Sequence, residues 1–153
     1  PSPDTTTRQY LNQVGMALVS SVGGASGPLF GTFFLRVGQL WQSPHSVSSI
    51  WQALKAGRDG IASRGRAKVG DKTMLDALCP AIDVLEHAAM ERDEEASTSL
   101  ARAAAAARAG AEATRGMLAR RGRAAHYGER SVGHLDPGAV SMAMILDSAS
   151  RHL

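Results

Sequence analysis

The stretch Gly23-Gly24-Ala25-Ser26-Gly27-Pro28-Leu29-Phe30-Gly31 decides how this chain is read. It stands between an apolar helical pattern ending near Val22 and a second one starting at Pro28. Glycine lets backbone amides approach a ligand where a side chain would block them. Pro28 suits the first turn of a helix, where its missing N–H costs nothing. Ser26 is placed to cap that helix, or to face an anion. The expected product is a helix N-terminus with exposed amide donors, a site suited to phosphate; the bland alternative is a turn between two packed helices. Neither a Walker A loop nor a dinucleotide fingerprint is present, because the lysine and the preceding strand are both missing.

Upstream, Leu11, Val14, Leu18 and Val22 recur at helical spacing, with Asp4 or a following threonine as the cap. Downstream, Leu29, Phe30, Phe33, Phe34, Val37 and Leu40 make a helix to about Trp41 that is apolar most of the way round, hence deeply buried. A loop at Gln42–His45 precedes a third helix over about 47–63, through Ile50, Leu54 and Ile61. The fourth helix carries Met74, Leu75, Leu78, Ile82 and Leu85 to about Arg92, kinked or interrupted at Pro80, with Asp71 or Thr73 as cap and Asp76 on its surface. After a solvated Arg92–Glu95 connection, an alanine-rich fifth helix spans about 97–120, with Leu100, Ala104, Ala107, Ala111 and Leu118 facing in. A long loop, 121–136, leads to Asp136-Pro137, a cap and a first-turn proline for a last helix with Val140, Met144 and Ile145 inside. No alternating β pattern and no repeat interrupts this. The expectation is all-α: one domain over residues 1–153, an antiparallel up-down bundle or barrel with six helices here.

The chain has 153 residues, 44% of them hydrophobic, and a formal net charge of +3. No apolar run is long enough to span a bilayer. The single cysteine, Cys79, excludes an internal disulfide, fits a reducing cytoplasm, and reads as core filler. Basic residues cluster at Arg64, Arg66, Lys68 and Lys72, and again at Arg120, Arg121, Arg123 and Arg130. In an up-down bundle, the connections at 23–27, 64–72 and 121–136 follow helices one, three and five. Parity alone then puts three glycine- and arginine-bearing loops at one rim, a site suited to a polyanion. His126 and His134 lie there without partners at metal-ligand spacing.

Gly23 to Gly31, Gly70-Asp71-Lys72-Thr73-Met74, Gly128-Glu129-Arg130-Ser131, Gly133-His134 and Asp136-Pro137-Gly138-Ala139 together resemble the nucleotide-binding L subunit of bacterial dihydroxyacetone kinase. That resemblance implies a cytoplasmic phosphotransferase of glycerol metabolism, an eight-helix antiparallel barrel that binds ADP or ATP at one end. It implies a partner K subunit or domain that holds dihydroxyacetone covalently on a histidine, and in one form of the family a phosphotransferase-system protein as phosphoryl donor. A homodimer is also open. Carried over residue by residue, it assigns Ala25 and Ser26 to the phosphates, Gly65 and Met74 to the adenine pocket, Arg123 to the nucleotide, and Asp136, Pro137 and Gly138 to a loop closing over it. No catalytic residue and no metal ligand is assigned. The family's Mg2+ is held by aspartates of a Gly-Asp-x-Asp-His-Gly motif that this sequence lacks, so the chain reads as six of eight helices, N-terminally incomplete and inactive alone. Two other readings stand beside this one. One is an L-type domain serving another hydroxyketone or a fatty acid. The other is a non-catalytic adaptor for a regulatory protein or nucleic acid; with only Tyr127 as an aromatic among the basic loops, nucleic acid is disfavoured.

Overall fold

The computed structural model describes residues 3–91 and 94–153, with the side chains of 1–5 undescribed. Six α-helices and two short 3-10 stretches carry the described residues, which include no strand. The all-α expectation holds. The chain divides into two compact units, Pro1–Arg66 and Ala67–Leu153. The first helix already begins at Pro3, so Asp4 and the threonines after it lie inside that helix and not at its cap; Arg92 and Asp93 of the fourth connection lie outside the described residues. No described helix is long and apolar enough to cross a membrane.

The first unit is an up-down trio: α1 (Pro3–Ser21), α2 (Ser26–Leu40) and α3 (Val47–Gly65). Small residues fix its register. A Cβ at residue 38 would meet Arg8, Leu11 and Asn12; one at 31 would meet Gly15 and Val19; one at 27 would meet Leu18 and Val22. The two helices therefore run antiparallel and very close. At Gly27 the contact is with backbone carbonyl oxygens, which cannot move aside as a side-chain end can, so only hydrogen fits. α3 starts at a reciprocal cap: Ser49 N–H donates to Ser46 Oγ (3.1 Å) and Ser46 N–H to Ser49 Oγ (3.0 Å). Phe33, Val37, Ile50, Ala53, Leu54 and Ile61 are buried in these helices. Leu40, expected inside, is exposed.

Ser26 does not cap α2. Ala25 holds that position, already in the right-handed helical region, with no side-chain cap bond, and Ser26 is the first helical residue. A residue before proline normally avoids helical geometry because its Cβ crowds the ring. Here that residue is Gly27, which has no Cβ, so the helix extends backwards past Pro28.

The second unit pairs α4 (Leu75–Glu91) with α5 (Ala96–Ala113) and α5 with α6 (Pro137–His152), while α4 also reaches α6. Pro80 lies inside α4 and brings no N–H, so the Asp76 carbonyl cannot receive its usual helical donor from residue 80. Gly110 of α5 backs onto that same carbonyl, and a Cβ there would overlap it. Proline and glycine thus form one packing solution. Ala103, Ala104, Ala107 and Ala111 of α5 are buried, as tight helix contact requires.

Two expectations fail in this unit. α5 stops at Ala113, not at 120, because the Thr114 hydroxyl donates to the Ala111 carbonyl (2.6 Å) and tightens the end into a 3-10 turn, Thr114–Gly116. Leu118 consequently leaves the helix and is exposed. In α6 the core positions are Ala139, Met142, Ala143 and Leu146, while Met144 is 68% exposed. Val140 and Ile145, also expected inside, are half-buried at the edge of that face, which alternates the small Ala139 and Ala143 with the large Met142 and Leu146.

Candidate functional site

In the second unit the site is built from the segment before α4 and the long connection between α5 and α6. Asp76, in the first turn of α4, is its anchor. A helix start leaves N–H groups without partners and favours negative charge. The Asp76 carboxylate accepts from Gly70 N–H (2.6 Å) and Thr73 N–H (2.7 Å). Thr73 supplies a cap, its hydroxyl accepting from Leu75 N–H (3.2 Å). Asp71 is buried: its carboxylate accepts from Lys68 N–H (3.0 Å) and lies 3.8 Å from the Arg121 guanidinium. Its carbonyl accepts from Arg120 N–H (3.1 Å). Both aspartates, read from sequence as a cap and a surface residue, shape the turn instead.

Other side chains tie the long connection down. Ser131 Oγ accepts from Ala119 N–H (3.0 Å) and donates to the Gly128 carbonyl (2.7 Å). Lys72 Nζ donates to the carbonyls of Met117 (3.1 Å) and Ser131. Thr114, fully buried, accepts from Asp136 N–H (2.9 Å) and so joins the end of α5 to the start of α6. Asp136 then caps α6, accepting from Ala139 N–H (2.8 Å), with Pro137 at the first turn, as the sequence predicts. The connection is not a featureless loop: Arg123–Ser131 forms 3-10 turns broken at Gly128 (φ 55°).

Met74, Asp136 and Gly138 come together. Met74 is buried, and a Cβ at residue 138 would stand 3.6 Å from Met74 and 3.1 Å from an Asp136 carboxylate oxygen. Beside them is a hollow of about 350 Å³, lined in part by Lys72, Tyr127, Arg130, His134, Asp136 and Pro137. Arg130 lies over the Tyr127 ring, 5.5 Å from its centre. Three of these groups are cationic or become so on protonation, against one carboxylate. Burial pushes the Asp136 carboxyl above the usual carboxylate range, aided by Asp76 and opposed by the Ala139 N–H and Lys72. Arg123 is exposed and makes no ion pair or hydrogen bond among the described residues. In the first unit Ala25 and Ser26 are exposed, and Gly65 is half-buried against Leu29.

The second and third basic loops therefore meet, as parity requires. Sequence reasoning missed Asp76, Lys72, Thr114 and Ser131 as site-forming residues. For Asp76 a signal existed, because Thr73-x-x-Asp76 has the spacing of a capping box. The described residues do not suit a metal ion. No three His, Cys, Asp or Glu residues among them are grouped to hold one, and Asp71, Asp76 and Asp136 each accept backbone N–H bonds.

A family model described as the DAK2 domain matches residues 2–151. The chain belongs to the DAK2 domain family. It is 45% identical over 143 residues to the ADP-binding subunit of the PEP-dependent dihydroxyacetone kinase of Escherichia coli, which covers 89% of this chain and 65% of that subunit. It is 39% identical over 148 residues to the L-erythrulose 1-kinase of Mycolicibacterium smegmatis, covering 95% of this chain and 25% of that protein. The chain thus spans slightly under two thirds of the first relative and a quarter of the second. The crystal structure of the dihydroxyacetone kinase from C. freundii in complex with AMP-PNP and Mg2+ matches with a TM-score of 0.66 and 28% identity, over 97% of this chain and 24% of that one.

Proposed function

We propose that this DAK2 chain is the nucleotide-holding part of a cytoplasmic dihydroxyacetone kinase, presenting a phosphoryl donor to dihydroxyacetone carried by a partner K subunit or domain. The observation that carries the reading is the cationic hollow beside Met74, at the capped start of α6, within a family whose relatives are named for ADP binding. Its size lies within the range of about 300–1,000 Å³ usual for small-molecule sites. In the second unit Met74 is the adenine contact, Arg123 pairs with phosphate, and Asp136, Pro137 and Gly138 close over the nucleotide. In the first, Ala25 and Ser26 are phosphate contacts and Gly65 a purine contact.

Phosphoryl transfer is mostly positioning and charge neutralisation. In the second unit the unengaged guanidinium at 123 supplies the second of these without proton transfer. Magnesium is assigned to no residue of this chain. The erythrulose kinase relative favours a second reading, in which the carbonyl substrate is a longer hydroxyketone. Titration of the chain with ADP, with and without Mg2+, is the test, alongside Ser26→Ala and Arg123→Ala. Each substitution is expected to weaken ADP by about 1–3 kcal/mol, the scale of a charge-assisted hydrogen bond. Unchanged affinity in both variants refutes the phosphate assignment.

A further inference from the structure

Lys72 is 3% exposed, and no carboxylate of the described residues lies within ion-pair distance of its ammonium. A buried charge is costly unless hydrogen bonds replace its water. The replacements are two backbone carbonyls, Met117 and Ser131, which lie 45 and 59 residues further along the chain. The backbone at Lys72 is also left-handed (φ 62°), a region that glycine or asparagine enters more easily. A lysine kept in this conformation is there for what its ammonium reaches.

Those two carbonyls bracket the segment that contains Arg123 and ends beside Asp136. Lys72 itself stands two residues before Met74 and lines the hollow with Asp136 and Pro137. We propose that Lys72 is a positioning residue for the nucleotide: its buried ammonium gathers both ends of the 117–131 segment onto the turn before α4, so that Arg123 and the Asp136 loop are presented beside Met74. The inference rests on the nucleotide reading of this site and adds a residue to which that reading gives no contact with the ligand.

Three variants of the full chain test it. Lys72→Met keeps the apolar stem and removes the donors; Lys72→Arg keeps the cation and several donors; Lys72→Gln is the milder neutral change. Calorimetry with ADP is expected to show about a tenfold loss for Lys72→Met, the scale of one charge-assisted bond, with most of it recovered in Lys72→Arg. Amide hydrogen exchange is expected to speed up within residues 117–136 and to stay unchanged in the body of α4 and α5. If Lys72→Met does not fold, Lys72→Gln decides on the same two readouts.

Wild-type ADP affinity in the folded neutral variant overturns the proposal. So does exchange that accelerates evenly through the second unit with no recovery in Lys72→Arg, which marks a merely structural lysine. If the unsubstituted chain takes up no ADP, the nucleotide reading fails by itself, and exchange alone decides Lys72. Local loosening at 117–136 then upholds the clamp, and unchanged exchange removes it.

Discussion

Two glycine-bearing turns of this protein are made in opposite ways. The turn at 22–25 has exposed residues, no side-chain cap, and a stabilising contact displaced into the neighbouring helices, where Gly27 and Gly31 let α2 lie on α1. The turn at 67–74 is held by buried charges, with Asp71, Lys72 and Asp76 each bonded to backbone groups. Glycine beside the first serves helix packing, and the residues of the turn stay exposed. At the second, the carboxylates of Asp71 and Asp76 take up the N–H groups of Lys68, Gly70 and Thr73. A glycine-rich stretch is therefore no single device, and its role depends on where the freed N–H groups go.

The contrast is broken most severely at Asp76. Asp76→Ala strands two backbone N–H groups, so urea denaturation should show a loss of about 3 kcal/mol, at roughly 1.5 kcal/mol per charge-assisted bond. A loss under about 1 kcal/mol would mean that the turn holds its shape without the carboxylate. Next in size is Gly27→Ala. Its Cβ meets backbone, so the helices must separate, and about 2 kcal/mol of destabilisation is expected, typical of overpacking. An unchanged midpoint in the same denaturation experiment would show the α1–α2 contact to be soft.

How much of this was legible beforehand follows from the same residues. Leu11, Val14, Phe33, Ile82 and Leu85 repeat at helical spacing, so the helices and the all-α fold could be read. Asp136-Pro137 is a local signal, a cap and a first-turn proline, and it is realised as read. Ser26 deceived because the ability to cap is local, whereas the absent Cβ of Gly27 lets the helix begin earlier. Lys72 was read as a rim cation, but its bonds and those of Thr114 were invisible because their partners lie 45, 59 and 22 residues away. The inward face of α6 was read about one position off, because Val140, Met142, Met144, Ile145 and Leu146 spread large apolar residues over more than one face.

A subtler sharpening uses acidity. Burial raises the Asp136 carboxyl above its unfolded value, so between those two values the folded chain holds a proton that the unfolded chain releases. That contribution favours the fold below the unfolded value and is lost as pH rises through the raised one. Asp136→Asn keeps an oxygen to accept from Ala139 N–H but cannot titrate. Melting curves from acid to neutral pH should therefore show this variant gaining on wild type as pH rises through that window. A difference that does not vary with pH would refute the raised value. The smallest effect is expected at Ser26: with no cap bond to lose, Ser26→Ala should shift stability by under about 0.5 kcal/mol, as surface changes do. A cost near 1 kcal/mol in thermal melts would restore Ser26 as a cap.

The turn before α4 is braced largely from outside its own tip. Gly70 N–H is bound by a helix residue, Asp76, and Lys72 hangs on carbonyls of the long connection, while Lys68 and Val69 at the tip stay exposed. The side chains at 68 and 69 can thus be varied with the frame intact, proline at 68 apart, because Lys68 enters the brace only through its backbone groups bonded to Asp71. Substitutions of exposed side chains at this tip can therefore accumulate without the turn first losing its shape.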